Sequence, residues 1–442
     1  MTKKLYIETY GCQMNFSDSE IIASVMRTDD YEITTSMEDA EVILVNTCAI
    51  RENAERRVFG RIHEFKRIKR QKPGTIIGVV GCMAERLKED IFKEYQEVDL
   101  IAGPDSYRHL PEMLDGIREG QQMANVMLSR EETYDNIEPV RLDSKGISAF
   151  ISIMRGCDNY CSYCVVPYTR GRERSRNPET IKEEAQRLFD QGYREITLLG
   201  QNVNSYNWVN NGQFIDFPGL LKQVSDVHQD LRLRFATSNP KDLSDKLIQT
   251  IASTPNIANA IHLPVQSGST EILKRMNRKY SREWYLNRIK SIKAHIPDAG
   301  ITTDIIAGFC GETEEDHKHT LSLMEEVGYD FAFMFKYSER PGTLAEKRFE
   351  DDVPEKIKSR RLQEIISLQQ KLSEQSNKRD LNKKFTVLVE GPSKKDIKKM
   401  MGRNEQNKVV VFPGTENLKG RYVQVKVTGY TSATLLGVKQ DN

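Results

Sequence analysis

The sequence predicts an α/β chain in three parts: an N-terminal open α/β sheet domain, a central partial (βα)6 barrel and a small C-terminal antiparallel β-barrel. Three observations carry this. Strand-like and helix-like runs alternate from residue 3 to about 120, six further strand and helix units follow from Phe150, and beyond Phe385 short β-like runs are separated by Gly391-Pro392, Pro413-Gly414 and Gly429. At 442 residues the chain is long enough for about three domains, each with its own core. The divisions read as 1–125, a linker at 126–146, then 147–375 and 376–442.

In the first part, Leu5 to Tyr10 reads as a strand and Ser17 to Met26 as a helix capped by Ser17, with Glu20 at the capping-box position. Glu41 to Asn46, Thr75 to Val80 and Val98 to Ala102 read as further strands, and Glu55 to Lys69 as a basic helix. Cys12, Cys48 and Cys82 each stand just past one of these strands. Open sheets of this kind bind ligands outside the carboxyl ends of their strands, so three thiols distant in sequence converge there as a three-thiolate metal site. One such cysteine would read as a small buried hydrophobe; three in equivalent places do not. The run Arg56, Arg57, Arg61, Lys66, Arg67, Lys69 and Arg70 reads as a solvated helix face in preference to a phosphate surface.

Gln121 to Gly146 is polar and aperiodic, which marks the junction between domains. Strands are then expected at Phe150 to Met154, Glu195 to Leu199, Leu233 to Ala236, Ala260 to Leu263, Thr302 to Ile306 and Phe331 to Phe335. Helices are expected between them, with start signals at Asn177-Pro178 and Ser281 and ends at Gly192 and Gly328. Six such units are too few for a closed eight-stranded barrel. Polar and glycine-rich loops follow the strands at Gly200-Gln201-Asn202, Thr237-Ser238-Asn239-Pro240, Pro264-Val265-Gln266-Ser267-Gly268-Ser269 and Ala307-Gly308-Phe309-Cys310-Gly311-Glu312. Each alone reads as a turn; repeated at one end of the barrel they read as a ligand site.

The first of these strands runs into Gly156-Cys157-Asp158-Asn159-Tyr160-Cys161-Ser162-Tyr163-Cys164. Three thiolates spaced by three and then two residues form a soft ligand set one short of a closed zinc site, and suit a 4Fe-4S cluster with one open iron. The seven cysteines are an odd number in a chain with no run of about 18 apolar residues and no apolar segment before Leu5-Tyr6-Ile7. Metal or redox chemistry in a soluble, cytoplasmic protein is the expectation, with no membrane partner. Arg170, Arg172, Arg174 and Arg176 alternate just downstream; a solvated edge and a phosphate contact both fit them.

Cys157-x3-Cys161-x2-Cys164, with Tyr163 before the last cysteine, resembles the signature of radical S-adenosylmethionine enzymes. The resemblance implies a cluster on Cys157, Cys161 and Cys164 whose open iron binds S-adenosylmethionine and whose electron yields a 5′-deoxyadenosyl radical. Cys12, Cys48 and Cys82 together with Val165-Val166-Pro167-Tyr168-Thr169-Arg170-Gly171 narrow it to the methylthiotransferases, which carry a second, auxiliary 4Fe-4S cluster. Leu198-Leu199-Gly200-Gln201-Asn202-Val203-Asn204-Ser205-Tyr206 and His262-Leu263-Pro264-Val265-Gln266-Ser267-Gly268 resemble the branch that acts on N6-isopentenyladenosine in tRNA. That branch joins a methylthio group to C2 of the adenine just 3′ of the anticodon, at tRNA position 37, using two S-adenosylmethionine molecules.

The resemblance further implies cofactor contacts at Tyr163, Gly200, Gln201, Ser238, Gln266 and Gly308, and partners comprising the tRNA, an electron donor and a sulfur source, with the enzyme a monomer. Cys310 stands where the family has proline, and Asn239 where histidine is frequent; Cys310 reads as packing or turn geometry.

Val353 to Lys378 reads as a long helix serving as a strut. Strands are expected at Phe385 to Val389, Val409 to Phe412, Tyr422 to Thr428 and Ala433 to Val438, and this segment resembles the TRAM domain, an RNA-binding β-barrel. From Ser376 onward there are 14 Lys or Arg against 6 Asp or Glu, although the whole chain is close to neutral at +1. Lys394, Lys395, Lys398, Lys399, Arg403, Lys408, Lys419 and Arg421 make a candidate phosphate surface. Two rivals stand beside this reading: the same chemistry on threonylcarbamoyladenosine tRNA or a ribosomal-protein aspartate, and a non-enzymatic RNA-binding protein with zinc at both cysteine groups.

Overall fold

The computed structural model describes residues 3–49, 52–88, 90–142 and 146–440, without the side chains of 52–56. Its first unit is a six-stranded parallel sheet. The strands are β1 (Lys3–Thr9), β2 (Tyr31–Ile33), β3 (Val42–Thr47), β4 (Ile76–Gly81), β5 (Leu100–Ala102) and β6 (Met123–Asn125), in the order β2-β1-β3-β4-β5-β6. Alternate residues of β3 face opposite cores. Val42 and Leu44 pack with Ile21, Ile22 and Met26 of helix α1 (Gln13–Arg27), whereas Ile43 and Val45 pack with Val58, Ile62 and Phe65 of α2 (Glu52–Gln71). Burial on both faces is why β3 and β4 read as unbroken apolar runs. The order turns back between β1 and β3, and the crevice at such a reversal is where doubly wound sheets bind ligands.

Helix α1 begins four residues earlier than its sequence signal. Cys12, in extended geometry, holds the N-cap position, and Ser17 lies inside the helix, buried. The tight turn at Gly11 (φ +120°) starts the helix immediately after β1. Glu20 is thereby freed from capping and pairs at 2.7 Å with Arg141 of the connecting segment. That segment is pinned rather than loose: the Tyr134 ring is buried and its hydroxyl donates to the Pro104 carbonyl at 2.9 Å. The basic helix is a solvated, ion-paired face, with Arg61 on Glu8 and Lys69 on Asp99; Glu55 and Arg56 lie outside the described side chains.

The second unit is an arc of six parallel strands: β7 (Ser148–Ser152), β8 (Glu195–Leu199), β9 (Arg232–Phe235), β10 (Ala260–His262), β11 (Gly300–Ala307) and β12 (Phe331–Lys336). They form two three-stranded sheets joined by a parallel bridge between Leu233 and Ile257. Among the described residues the arc stays open between β12 and β7, as a half-barrel. Helices Pro178–Asp190, Phe217–Ser225, Asp245–Ser253, Arg282–His295 and Glu314–Val327 cover its outside. Asn177 and Ser281 cap two of them through their side chains, and Gly328 ends another at φ +68°.

The long helix Glu355–Arg379 leads from the half-barrel into a closed barrel of β13 (Lys384–Pro392), β14 (Lys399–Arg403), β15 (Val409–Pro413), β16 (Tyr422–Tyr430) and β17 (Leu435–Lys439). Four pairings are antiparallel and one, β15 with β17, is parallel. Strand β14, Lys399-Met-Met-Gly-Arg403, carries no β-branched residue, which is why no strand was expected there. The barrel docks on the amino ends of the half-barrel strands: Arg234 Nη2 donates to Asn404 O at 2.7 Å, Arg232 Nη1 to Arg403 O at 2.8 Å and Gln406 Nε2 to Asp298 O at 2.9 Å.

Candidate functional site

Cys12, Cys48 and Cys82 follow β1, β3 and β4, three neighbouring strands, so the sheet brings all three thiols to one edge. Gly11 is required for this: a Cβ there would lie 2.5 Å from Cys48 Cβ, at a φ that L side chains rarely adopt. The Cys48 thiol bonds to Cys12 and, with help from the Arg170 cation, lowers the Cys12 thiol to about 6 against the opposing effect of burial. Burial pushes the Cys82 thiol up, and Arg170, whose Nε donates to Cys82 Sγ at 3.1 Å, offsets part of that.

The second trio lies on the loop after β7. Gly156 takes φ +80°, and the Cys157 amide donates to Gly171 O at 3.1 Å. Asn159 Nδ2 donates to Cys157 Sγ at 3.3 Å and Arg278 Nη1 to Cys161 Sγ at 3.2 Å. The loop is clamped by the residues after Gly268: Ser162 Oγ donates to Arg275 O at 2.8 Å and Asn277 Nδ2 to Tyr160 O at 2.8 Å. Burial pushes the Cys157 thiol up to about 11 and raises Cys164 as well.

The loops singled out by sequence surround this trio at the carboxyl ends of the strands. The Tyr163 ring meets Phe309 edge-on at 6.4 Å, beside Gly308. Gly200 allows a close approach, since a Cβ would fall 2.4 Å from Met154 Cγ. Among the described residues, the buried Gln201 Oε1 and Asn204 Nδ2 have no hydrogen-bond partner, and Ser238 Oγ donates to Asn204 Oδ1 at 3.2 Å. Gln266 stands at φ +72° while bonded to β11 through both its amide and its carbonyl. Strained non-glycine backbone of this kind concentrates at ligand sites. The Gly308 amide is committed to the Glu312 carboxylate, which burial raises to about 7. Cys310 is fully buried among Phe309, Tyr337 and Met276, as packing would have it.

The alternating arginines correct both sequence readings. Three of the four face neither solvent nor phosphate but are buried against the first unit and its connecting segment. Arg170 meets Asp18 at 2.6 Å, Arg174 meets Asp105 at 3.0 Å and Arg176 meets Asp135 at 2.8 Å. Arg172 alone is exposed, paired with Asp158 at 2.6 Å. Arg155 joins the same buried group, 3.0 Å from Asp18 and 3.7 Å from Asp105. Asp18, Asp105, Arg155 and Arg278 carried no motif, and only their tertiary partners reveal them. The short helix Val166–Arg170 thus carries the chain from Cys164 of one trio to a contact with Cys82 of the other.

The inner face of the half-barrel holds a second feature that sequence reading missed. Thr302, Asp304 and Ile306 of β11 pair in register with Phe331, Phe333 and Phe335 of β12, so all six share one face. Thr303, Ile305 and Ala332 point the other way into the core. The three phenylalanines are 48%, 46% and 42% exposed at the open edge, and Phe333 meets His262 edge-on at 5.8 Å. In the C-terminal barrel, Lys394, Lys395, Lys398, Lys399, Lys419 and Arg421 are exposed, but Lys408 is not part of that surface: it is enclosed between Asp330 and Asp380 at 3.0 and 2.6 Å.

In donor chemistry the two trios suit iron–sulfur clusters, three soft sulfur atoms each with arginine and asparagine beside them; among the described residues no three ligating side chains stand close enough together to hold a single metal ion. The orphaned amide groups of Gln201 and Asn204 fit a polar cofactor at the strand ends. Among the described residues no helix is long and apolar enough to cross a membrane.

Residues 4–103 match the family described as Uncharacterized protein family UPF0004, residues 151–324 the Radical SAM superfamily and residues 378–439 the TRAM domain. A protein of Amoebophilus asiaticus named tRNA-2-methylthio-N(6)-dimethylallyladenosine synthase is 55% identical, over 99% of this chain and 92% of its own length. Proteins of the same name from Parabacteroides distasonis and Bacteroides fragilis are 53% and 54% identical, each over 98% of this chain and 95% of its own length. Among solved structures, the radical S-adenosylmethionine methyltransferase TsrM of Kitasatospora setae, with cobalamin and a 4Fe-4S cluster bound, is similar at a TM-score of 0.58 and 12% identity, over 78% of this chain and 77% of that one. The cobalamin-dependent radical enzyme OxsB is similar at a TM-score of 0.56 and 13% identity, over 78% of this chain and 54% of that one. At such identities these two report on the fold alone.

Proposed function

The chain belongs to the family of tRNA-2-methylthio-N(6)-dimethylallyladenosine synthases, and on that premise we propose that it joins a methylthio group to C2 of N6-isopentenyl (dimethylallyl) adenosine at tRNA position 37. Residues 1–125 carry the auxiliary cluster on Cys12, Cys48 and Cys82, residues 147–375 the radical-forming cluster on Cys157, Cys161 and Cys164, and residues 376–442 grip the RNA; 126–146 connect them. When bound, the clusters and S-adenosylmethionine would pass on the electron, give the radical and the methyl group, and hold the sulfur that an outside source provides. The chain's own residues position and shield. Gln201 and Ser238 with its partner Asn204 offer polar atoms to the cofactor, Tyr163 and Phe309 wall the cysteine loop, and Gln266 holds the loop after β10 against β11.

The observation that carries this reading is the link between the two trios: Arg170, six residues after Cys164, bonds to Cys82. The short helix after Cys164 thus runs from one trio to the other, which supports sulfur held at one and a radical formed at the other acting on a single substrate. The half-exposed Phe331, Phe333 and Phe335 offer a stacking face to a base and its five-carbon apolar substituent, and an unpaired loop nucleotide leaves its stack at small cost. The enzyme acts in the cytoplasm as a monomer, with an external electron donor and an external source of sulfur. Mass spectrometry of tRNA nucleosides from a deletion strain tests the substrate. The 2-methylthio-isopentenyladenosine signal should vanish, return with the wild-type chain, and stay absent with Cys82→Ala or Cys161→Ala. An unchanged signal in the deletion strain, or loss of a methylthiolated threonylcarbamoyladenosine in its place, overturns the assignment.

A further inference from the structure

Each cysteine trio has one enclosed arginine aimed at a sulfur atom. Arg170 donates to Cys82 Sγ and Arg278 to Cys161 Sγ, with side chains or residues only 3% and 8% exposed. Enclosing a cation is costly unless an anion or a full set of acceptors faces it. Apart from the cysteine sulfur atoms themselves, neither environment supplies enough charge. Around Arg170, three guanidiniums (Arg155, Arg170 and Arg174) share two carboxylates, Asp18 and Asp105. Glu85 lies near Asp105, but it forms no ion pair with the three guanidiniums among the described residues, and burial works against its charge. Among the described residues, neither N–H of Arg170 Nη1 has an acceptor. Arg278 bonds to the Tyr280 hydroxyl, the Pro264 carbonyl and Cys161, and among the described residues no carboxylate pairs with it.

We propose that Arg170 and Arg278 are fixed counter-cations, one for each cluster, which hold the auxiliary and radical-forming clusters in place and make each easier to reduce. This rests on the assignment of clusters to the two trios. A 4Fe-4S cluster on three thiolates is an anion, and reduction adds one electron from an external donor without forming or breaking a bond. A cation at hydrogen-bond distance in a water-poor site favours the more negative form. It also gives the orphaned Nη1 of Arg170 an anion to face.

The test uses the full chain reconstituted anaerobically with iron and sulfide, titrated with dithionite and redox mediators, each cluster being followed by its paramagnetic resonance signal. Chains with Cys157, Cys161 and Cys164 all replaced by alanine, or with Cys12, Cys48 and Cys82 so replaced, identify the two signals. Arg170→Gln should lower the midpoint of the auxiliary cluster alone, cutting its reduced-to-oxidised ratio about tenfold at the wild-type midpoint, which is about 59 mV for one electron. Arg278→Gln should do the same to the radical-forming cluster alone, and the lysine variants should recover most of each shift. Selective loss of the adjacent cluster in a glutamine variant, regained in the lysine variant, also supports the proposal. Wild-type midpoints in both glutamine variants, or loss of iron that is not selective, overturn it. A wild-type chain that takes up no cluster at one trio overturns the cysteine assignment instead.

Discussion

Gly156 stands at φ +80° directly before Cys157, and a Cβ there would lie 1.9 Å from the Arg172 carbonyl oxygen. No side-chain adjustment relieves a clash with backbone, so Gly156→Ala has to displace either the cysteine loop or the arginine segment packed on it. Left-handed strain alone costs about 1–3 kcal/mol. The expected outcome is a lower melting temperature together with loss of the radical-forming cluster's iron; a variant with both unchanged shows that the loop tolerates the shift. Glu85 gives a prediction of a different kind. Its side chain is enclosed, Oε2 has no hydrogen-bond partner among the described residues, and burial raises its carboxyl from 4.5 to about 7. Between those values the folded chain holds a proton that the unfolded chain has released, so this group makes stability fall as pH rises through the window. Glu85→Gln removes the titration. Its melting temperature should gain on the wild type from pH 4.5 to 7 and keep a constant lead above that; a lead independent of pH sinks the argument. The cysteines were legible because their spacing is local or tied to strand ends. Asp18, Arg155 and Arg278 were not, because a buried charge identifies itself only by the partner that folding brings to it.

At the scale of elements, most helices and strands were legible from periodicity, and the misses have physical causes. Ser17 has every sequence feature of a cap, yet the turn at Gly11 starts α1 at Gln13, with Cys12 as its N-cap, and leaves Ser17 buried inside it. Tertiary context overrode the local signal. Strand β12 shows the reverse. Its Phe-Ala-Phe-Met-Phe pattern states a strand with one aromatic face, but a sequence cannot say whether that face is covered, and the open half-barrel leaves it half exposed. Phe333→Ala discriminates the two. A half-exposed ring contributes little to stability, so the melting temperature should hold, whereas a lost base stack of about 1–3 kcal/mol lowers kcat/KM for isopentenylated tRNA roughly fivefold to 150-fold. Steady-state methylthiolation kinetics beside a thermal melt decide it. A large fall in melting temperature with kcat/KM intact makes the ladder part of the core.

At the scale of the whole molecule, the C-terminal barrel and the cysteine loop sit at opposite ends of the half-barrel. The barrel docks through Arg232, Arg234 and Asp298, at or just before the amino ends of strands, whereas the cysteines and glycine-rich loops lie at the carboxyl ends. Charge asymmetry in the sequence foretold a basic end module, but not that Lys408 would be spent on docking while Lys394, Lys395, Lys398 and Lys399 project outward beside Ile397, itself 83% exposed. The Lys399 pair with Asp396 is too exposed to hold that lysine from a phosphate. This geometry separates grip from chemistry. Replacing these four lysines by glutamine should weaken tRNA binding and flatten its salt dependence, by about 0.7–0.9 in the slope of log K against log salt for each phosphate no longer neutralised. Reductive cleavage of S-adenosylmethionine in the absence of tRNA should proceed at the wild-type rate, because none of the four lies near either trio. Filter binding across a salt series, paired with that cleavage assay, separates the outcomes. An unchanged slope means the RNA follows another face of the molecule, and a slowed cleavage means the barrel acts on the site through the half-barrel it docks on.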